Sequence, residues 1–499
     1  MIPSPQARRA VAAFAGAFLL VAAACHEVHF DPGEHGREGE IEIYDDLFAV
    51  SAPSAKHVVA AGYWGTVYVS DDGGTTWKKG ETGTRNLLYD VSMADDKKGW
   101  AVGQAGTILR TEDGGLTWTA QPNNKIQEDT HLFAVQALDA NTAWAVGEWG
   151  GRLFTDDGGK SWQDRSFTID QQHPQFVWLS PPEQDRVRKG EKVYEDVGLT
   201  DIYCLPASQN CWFIGEFGYI FYSDNGGQTW NRGAIQQDIS VPPITLPYNV
   251  IDITEQNADS LRAFAKKILD MPHLNVAIEP VASAQEIADF GKIDDPTPLF
   301  EILEARVQSV SSVLEEAGLL SDRIRKRGSP PWDYDDFLKD DPEFLTRYLA
   351  GRKADAPGVN VTIAQNPYLF TVRFANPNDG YIAGLGGVVL VSHDGGKNWE
   401  YRDTGRKQAI FSVFPLKDRV IAVGEKGFVR VSTDQGASWA APEKGFPTIF
   451  TFMRDIWFSP EGQSGYIVGE RGNVMHSEDG GANWKTVLPP PDHRSAAGG

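Results

Sequence analysis

Cysteine is nearly absent from this 499-residue chain: there are three, and no two stand as Cys-x-x-Cys. That excludes the commonest structural zinc site. Positive charge is also scarce, with 46 Lys and Arg against 68 Asp and Glu, a net charge of -22. A surface so acidic repels nucleic acid and anionic membrane, so no nucleic-acid partner is expected. Only one long apolar run exists, Ala10 to Ala24, behind Arg8 and Arg9. It is too short for a typical spanning helix and lacks a second charged flank, so it reads as an export signal. There is no Gly-x-Ser-x-Gly elbow, no P-loop and no His-Glu-x-x-His. Without them the expectation is a non-enzyme with no catalytic residue, no cofactor and no metal.

The apolar run ends in Val21-Ala22-Ala23-Ala24-Cys25. Small residues before a cysteine resemble the lipobox of bacterial lipoproteins. That resemblance implies removal of residues 1–24, a diacylglycerol on Cys25, and an anchor of two or three acyl chains. It places the chain on the periplasmic face of a bacterial membrane, most simply the outer one. The alternative is cleavage after an Ala-x-Ala site, which releases a soluble protein. Cys204 and Cys211 flank a Pro- and Asn-containing turn in YCLPASQNCW, which reads as a hairpin. A Cys204–Cys211 disulfide is expected, against two buried free thiols.

What the chain has in excess is glycine (51) and tryptophan (15). They fall in a repeat. SDDGGTTW ends at Trp77, TEDGGLTW at Trp118, TDDGGKSW at Trp162 and SDNGGQTW at Trp230. SHDGGKNW ends at Trp399, STDQGASW at Trp439 and SEDGGANW at Trp484. Each copy follows a second shared element, such as AVGQAGTILRT, AVGEWGGRLFT or IVGERGNVMHS. The box acid (Asp72, Asp113, Asp157, Asn225, Asp394, Asp434, Asp479) is placed to accept backbone N–H groups inside a tight turn. The next Gly supplies a conformation other residues resist, and the Trp buries a face while its N–H finds an acceptor. Six aspartates and one asparagine at the same turn of seven copies are therefore structural. Most Trp-to-Trp steps match one four-stranded blade of ~40–45 residues. The expectation is an all-β, seven-bladed β-propeller.

The AVGxxGxxxxSxDGGxxW unit resembles the photosystem II stability/assembly factor family, within the BNR or Asp-box propellers, over roughly residues 40–235 and 366–488. The resemblance implies a non-enzymatic assembly factor with a membrane protein or membrane-protein complex as partner. In cyanobacterial members it also implies lipid attachment. The large insertion departs from the photosynthetic pattern, so a photosystem is not carried over as the partner. Asp-box propellers also include sialidases and other glycosidases, which keeps a glycan-binding or glycan-cleaving protein as the alternative. Its sialidase Arg-Ile-Pro signature is absent.

With strands A to D per blade, the Asp-boxes are C–D turns on one face. The B–C turns and D–A crossings lie on the other. About 25 extra residues follow Trp162 and about 125 follow Trp230, both D–A crossings, so both excursions emerge opposite the boxes. The domain expectation is propeller at 25–240 and 365–499, with an α-helical insertion at 241–364 between blades four and five. Leu261, Phe264, Ala265, Ile268 and Leu269 repeat at helical spacing. Ser283 and Glu286 form a capping-box pattern. Thr297-Pro298 starts a helix with Leu303, Val307, Val310, Leu314 and Ala317 along one stripe and Gly318 at its end. Asp341-Pro342 opens another. The stripes read as packing surfaces, or alternatively as a groove for a partner helix. The acidic run Asp333, Asp335, Asp336, Asp340 and Asp341 does not fit an EF-hand.

The B–C turns supply the candidate binding face: Trp64, Trp149 and Phe217 beside Glu148, Glu216, Glu425 and Glu470, with Lys426 and Arg471 on the other side. Arg85, His131 and Arg406 precede A strands and are expected at the mouth of the channel. Aromatics on rigid turns suggest recognition. The opposing reading is that the insertion covers them.

Overall fold

Short runs rich in β-branched residues, separated by glycine turns, fold into short antiparallel sheets. The computed structural model describes residues 45–488, apart from 124–129, 174–175, 177–178, 180, 238, 240, 243, 293–294, 327–343, 366–367 and 443–444. The signal region, Cys25, the acidic run and Asp341-Pro342 lie outside the described residues.

The A strands are Leu47–Ser51, Leu88–Met93, Leu132–Ala137, Leu199–Cys204, Leu369–Phe374, Ile410–Pro415 and Met453–Phe458. Each begins an antiparallel sheet. Two sheets depart from four strands. The fifth gains Ala234–Ile235, which runs parallel to Asn398–Arg402 on its outer edge. The sixth has three strands and a single bridge, Val431 to Ala440, where a fourth would stand. Pro442 stands two residues on, and proline has no N–H to extend the ladder. Neighbouring A strands touch in chain order, and the last touches the first. The architecture is all-β and propeller-like.

The boxes are built as their residues dictate. In the third, Asp157 accepts from Ser161 N at 3.0 Å, from Ser161 Oγ at 2.6 Å and from Thr155 Oγ1 at 2.9 Å. Gly158 N donates to Asn141 O, which ties the box to its own A–B turn. Trp77, Trp118, Trp399, Trp439 and Trp484 donate Nε1 to the carbonyl of the box Gly three residues earlier; among the described residues Trp162 and Trp230 find no partner. The Ser161 hydroxyl and amide hold the Asp157 carboxyl down at about 2. Its folded value lies below the unfolded one. Its contribution to stability is therefore present above the ordinary carboxylate range and is lost as pH falls toward about 2. Asp157→Ala should cost about 1 kcal/mol at pH 7. It should also flatten the acid limb of a stability–pH curve below pH ~4.

Successive sheets are keyed by the boxes. The second Gly of a box lies against the B-strand side chain of the preceding sheet: Trp100 at Gly159, Trp144 at Gly227, Trp212 at Gly396 and Tyr381 at Gly436. At Gly227 (φ +81°) a Cβ would stand 2.6 Å from the Trp144 ring, so only glycine fits. The last sheet meets the first the same way, Tyr466 against Gly74. Val50 N donates to Asp455 at 3.0 Å and Arg471 N to Asp46 at 2.8 Å across that seam. Among the described residues no strand is shared between the first and last sheets. Side chains and turns latch the ring. Cys204 and Cys211 stand opposite each other in their hairpin and are disulfide-bonded.

The segment between the fourth and fifth sheets is more than helical. It holds the helices Glu255–Ile268, Ala284–Phe290, Thr297–Glu316 and Phe344–Arg352. It also holds its own mixed sheet, in which Leu274–Ser283 pairs antiparallel with Gly358–Gln365 and parallel with Ile324–Lys326. VNVTIA and LNVAI are β-branched, alternating runs, and they form this sheet. Ser283 and Glu286 make the capping box, and Gly318 ends the long helix at φ +99°. The stripes are core: Leu261, Ala265 and Ile268 bury against Val307, Val310 and Leu314 and against the sheet.

Candidate binding face

Each A strand carries a register shift after its first residue. A bulge lets two successive residues face the same way. The skipped residues are Phe48, Tyr89, Phe133, Thr200, Phe370, Phe411 and Arg454, and all seven line one central cavity of about 230 Å³. Their neighbours Asp90, Asp201, Thr371, Ser412 and Asp455 line it too.

The three aspartates join sheets. Asp90 accepts from Val135 N at 2.8 Å, Asp201 from Val372 N at 2.8 Å and Asp455 from Val50 N at 3.0 Å, each on the following sheet. Arg373 bonds Asp201 at 2.6 Å. Burial pushes Asp90 well above the usual carboxylate range. Asp201 and Asp455 add to that as like charges, while Val135 N–H and Arg373 offset it only in part. Asp90 therefore favours folding fully below its unfolded value near 3.8, and that contribution is lost as pH rises through its folded value. Asp90→Asn keeps an acceptor for Val135. It should raise stability at pH 7 by on the order of 1 kcal/mol and reduce the fall in stability from pH ~4 upward, read by urea denaturation.

The B–C turns are seven alike. Their middle residues, among them Trp64, Trp149, Phe217, Lys426 and Arg471, sit in the left-handed region at φ 52–58°. Trp64 is 68% and Trp149 41% exposed. Phe217 is half-buried, with the Arg325 guanidinium of the insertion 4.6 Å from its ring. The insertion also sets Pro272 against Gly386 and stacks His273 on Tyr401. It therefore sits over the turns of the fourth and fifth sheets. The first excursion supplies Asp196, Val197 and Gly198 to the cavity wall and bonds Gly150 N through Val197 O.

The glutamates share a bracing role. Glu148 accepts from His131 N at 2.8 Å and Glu216 from Gly198 N at 3.1 Å. Glu425 accepts from Ala409 N and Glu470 from Phe452 N, both at 3.4 Å. Each ties its turn to the start of its own A strand. Burial raises Glu216, with the charges of Asp196 and Glu148 adding to it. Of the twelve candidates, His131, Glu148, Trp149 and Glu216 line the cavity. His131 Nδ1 accepts from Ala105 N at 3.2 Å. Arg85, Arg406, Lys426, Arg471 and Trp64 are exposed and outside its lining; Phe217, Glu425 and Glu470 are half-buried and also outside it. The aromatic ring of the channel was missed. Aligning the repeats shows it as one column, the residue after the first Leu, Ile or Met of each A strand. No metal-ligating cluster is present among the described residues.

Residues 75–175 match the family described as photosynthesis system II assembly factor YCF48, and residues 68–79 and 221–232 match the BNR/Asp-box repeat. The photosystem II assembly lipoprotein Ycf48 of Synechococcus sp. (strain CC9902) is 39% identical over 66 residues. That stretch is 13% of this chain and 20% of the relative, so the match spans about a fifth of the relative's length. Among solved structures, YCF48 bound to D1 peptide aligns at 14% identity and a TM-score of 0.47, over 88% of this chain and 95% of that one. YCF48 from Cyanidioschyzon merolae gives 14% and 0.48, over 88% and 97%. A GH74 xyloglucanase from Xanthomonas campestris gives 10% and 0.48, over 90% and 55%.

Proposed function

On the premise that this chain is a photosystem II assembly factor-like Asp-box repeat protein, we propose that it is an exported, non-catalytic scaffold holding a segment of a membrane-protein partner on its B–C turn face. In this reading residues 25–240 and 365–499 form a seven-bladed propeller, 241–364 is an inserted domain, and Cys25 carries the lipid. That the Synechococcus relative is an assembly lipoprotein supports both assembly and lipid attachment. The Cys204–Cys211 disulfide agrees with an oxidising compartment. The photosystem itself is not assigned as partner.

The observation that carries the reading is one aromatic-walled cavity beside two exposed tryptophans on rigid turns. Aromatic anchors around a desolvated pocket are what interface hot spots are made of. The test replaces Trp64 and Trp149 by glycine. Both sit at φ 56°, which glycine adopts without strain, so the rings go and the turns stay. Crosslinking on the intact membrane-anchored protein should then lose its membrane-protein partner by about tenfold or more. Unchanged crosslinking would sink the scaffold.

The second reading is a glycan-directed propeller, favoured by Glu148 and Glu216 lining one cavity. Against it, each has one oxygen committed to a backbone N–H. Glu148→Gln with Glu216→Gln, assayed for both partner crosslinking and glycan turnover, separates the two. Lost turnover with an intact partner would favour the hydrolase.

A further inference from the structure

Six carboxylates line the cavity against two guanidinium groups, those of Arg373 and Arg454. Both guanidinium groups are already held. Arg373 bonds Asp201 and lies 5.6 Å from the Tyr203 ring and 5.5 Å from that of Trp457. Arg454 bonds Glu470 at 3.2 Å and sits 4.9 Å from Phe48 and 4.8 Å from Phe411. One side of the channel thus already holds a guanidinium between two aromatic rings and a carboxylate. The other side repeats the same materials, Tyr89 and Phe133 with Glu148 and Glu216, and no Lys or Arg stands among its described lining residues. Glu148 and Glu216 each use one oxygen on a backbone N–H, and among the described residues the other oxygen of each makes no hydrogen bond. Thr371, on the A strand of the fifth sheet, supplies an independent sign for the cavity as a whole. It is 2% exposed, it lines the cavity, and its hydroxyl has no hydrogen-bond partner among the described residues. Buried hydroxyls are nearly always paired.

We propose that this half of the cavity takes one arginine side chain from an extended segment of the partner, its guanidinium laid against the Tyr89 and Phe133 rings, which meet edge to face at 5.3 Å, and within reach of Glu148 and Glu216. The inference rests on the scaffold reading and names the chemistry of what it holds. A planar guanidinium fits before an ammonium because it stacks on rings and forks to carboxylates. The volume agrees. About 230 Å³ falls below the ~300–1,000 Å³ of drug-sized sites, which suits a single side chain. Like charge among Glu148, Asp196 and Glu216 gives a cation a further gain, since burial and mutual repulsion raise Glu216 and the Gly198 N–H and the Arg325 guanidinium of the insertion offset this only in part.

The test titrates the full-length protein in detergent with acetyl-Ala-Ala-Arg-Ala-Ala-amide and with the same peptide carrying citrulline, which is isosteric and neutral. The arginine peptide should bind with Kd below about 1 mM and about tenfold or more tighter than the citrulline peptide. Glu148→Gln with Glu216→Gln keeps both N–H acceptors and should erase that difference. Phe133→Leu, on a different strand, should weaken the arginine peptide about fivefold or more. Equal binding of the two peptides, or no binding of the arginine peptide, overturns the inference. Free L-arginine binding about tenfold tighter than the peptide overturns a peptide source. If the membrane partner crosslinks through Trp64 and Trp149 while arginine and citrulline are not distinguished, the scaffold stands and the arginine site falls. Discrimination without a crosslinked partner gives the reverse.

Discussion

Arg306→Met will lower the stability of the inserted domain by about 3–5 kcal/mol at pH 7. Arg306 and Glu286 are both fully buried. Arg306 Nη2 donates to Glu286 Oε1 at 2.6 Å, Nη1 to Oε2 at 3.2 Å and Nε to Val250 O at 2.9 Å. Glu286 also accepts from Asn249 N at 2.8 Å and, as the capping-box acid, from Ser283 N at 3.1 Å. Removing the guanidinium strands a carboxylate with no water to replace it. Burial alone would push Glu286 up; Arg306 and the two N–H donors reverse this and hold it below the ordinary range. The contribution of Glu286 is therefore present above its unfolded value and lost on acidification. The defect in Arg306→Met should shrink on acidification, starting above the ordinary value of 4.5, because the stranded acid, pushed up by burial, then protonates. Arg306→Met with Glu286→Gln should recover at least half the loss. Hydrogen exchange localised to 255–316 reads the effect, and full protection in Arg306→Met at pH 7 would refute it.

Arg373→Met will act on the ring instead. Its guanidinium is the cation that lowers Asp90, Asp201 and Asp455, the three carboxylates that burial raises. Without it, three acids face one channel, each still gripping an N–H of the next sheet. The expected loss is about 3–5 kcal/mol at pH 7, less at pH 5 where the acids protonate more readily. Asp201→Asn in the same chain should restore part of it, since the close pair is then removed whole. A melting curve unchanged between pH 5 and pH 7 would contradict this account.

The two variants also mark where sequence reading stops. Arg306 lies in a helix that periodicity finds, and Glu286 in a cap that a four-residue motif finds. Nothing in either pattern says that they meet, because the two helices are brought together by packing on one strand of the inserted sheet, Leu274–Ser283. That sheet was itself overlooked. LNVAI and VNVTIA alternate as strands do, but the stronger helical stripes on both sides drew the whole segment toward helix. The glutamate column at Glu148, Glu216, Glu425 and Glu470 was legible as a column. Its bracing bonds were not, because each depends on the bulged start of its own A strand.

From the sequence alone came the repeat, its four-strand unit, the box hydrogen bonds, the capping box, the stripe helix and the cysteine hairpin. All are local. Each is decided by residues within a few positions of one another, through turn geometry or a 3.6-residue period. Tertiary structure decided which tryptophan is exposed and which aromatic is covered. It decided that the ring closes through Tyr466, Asp455 and Asp46, and that a column of single residues becomes an aromatic-walled, acidic cavity. Those outcomes depend on contacts between residues as many as four hundred positions apart, such as Val50 with Asp455. Only closure of the ring brings them within hydrogen-bond distance.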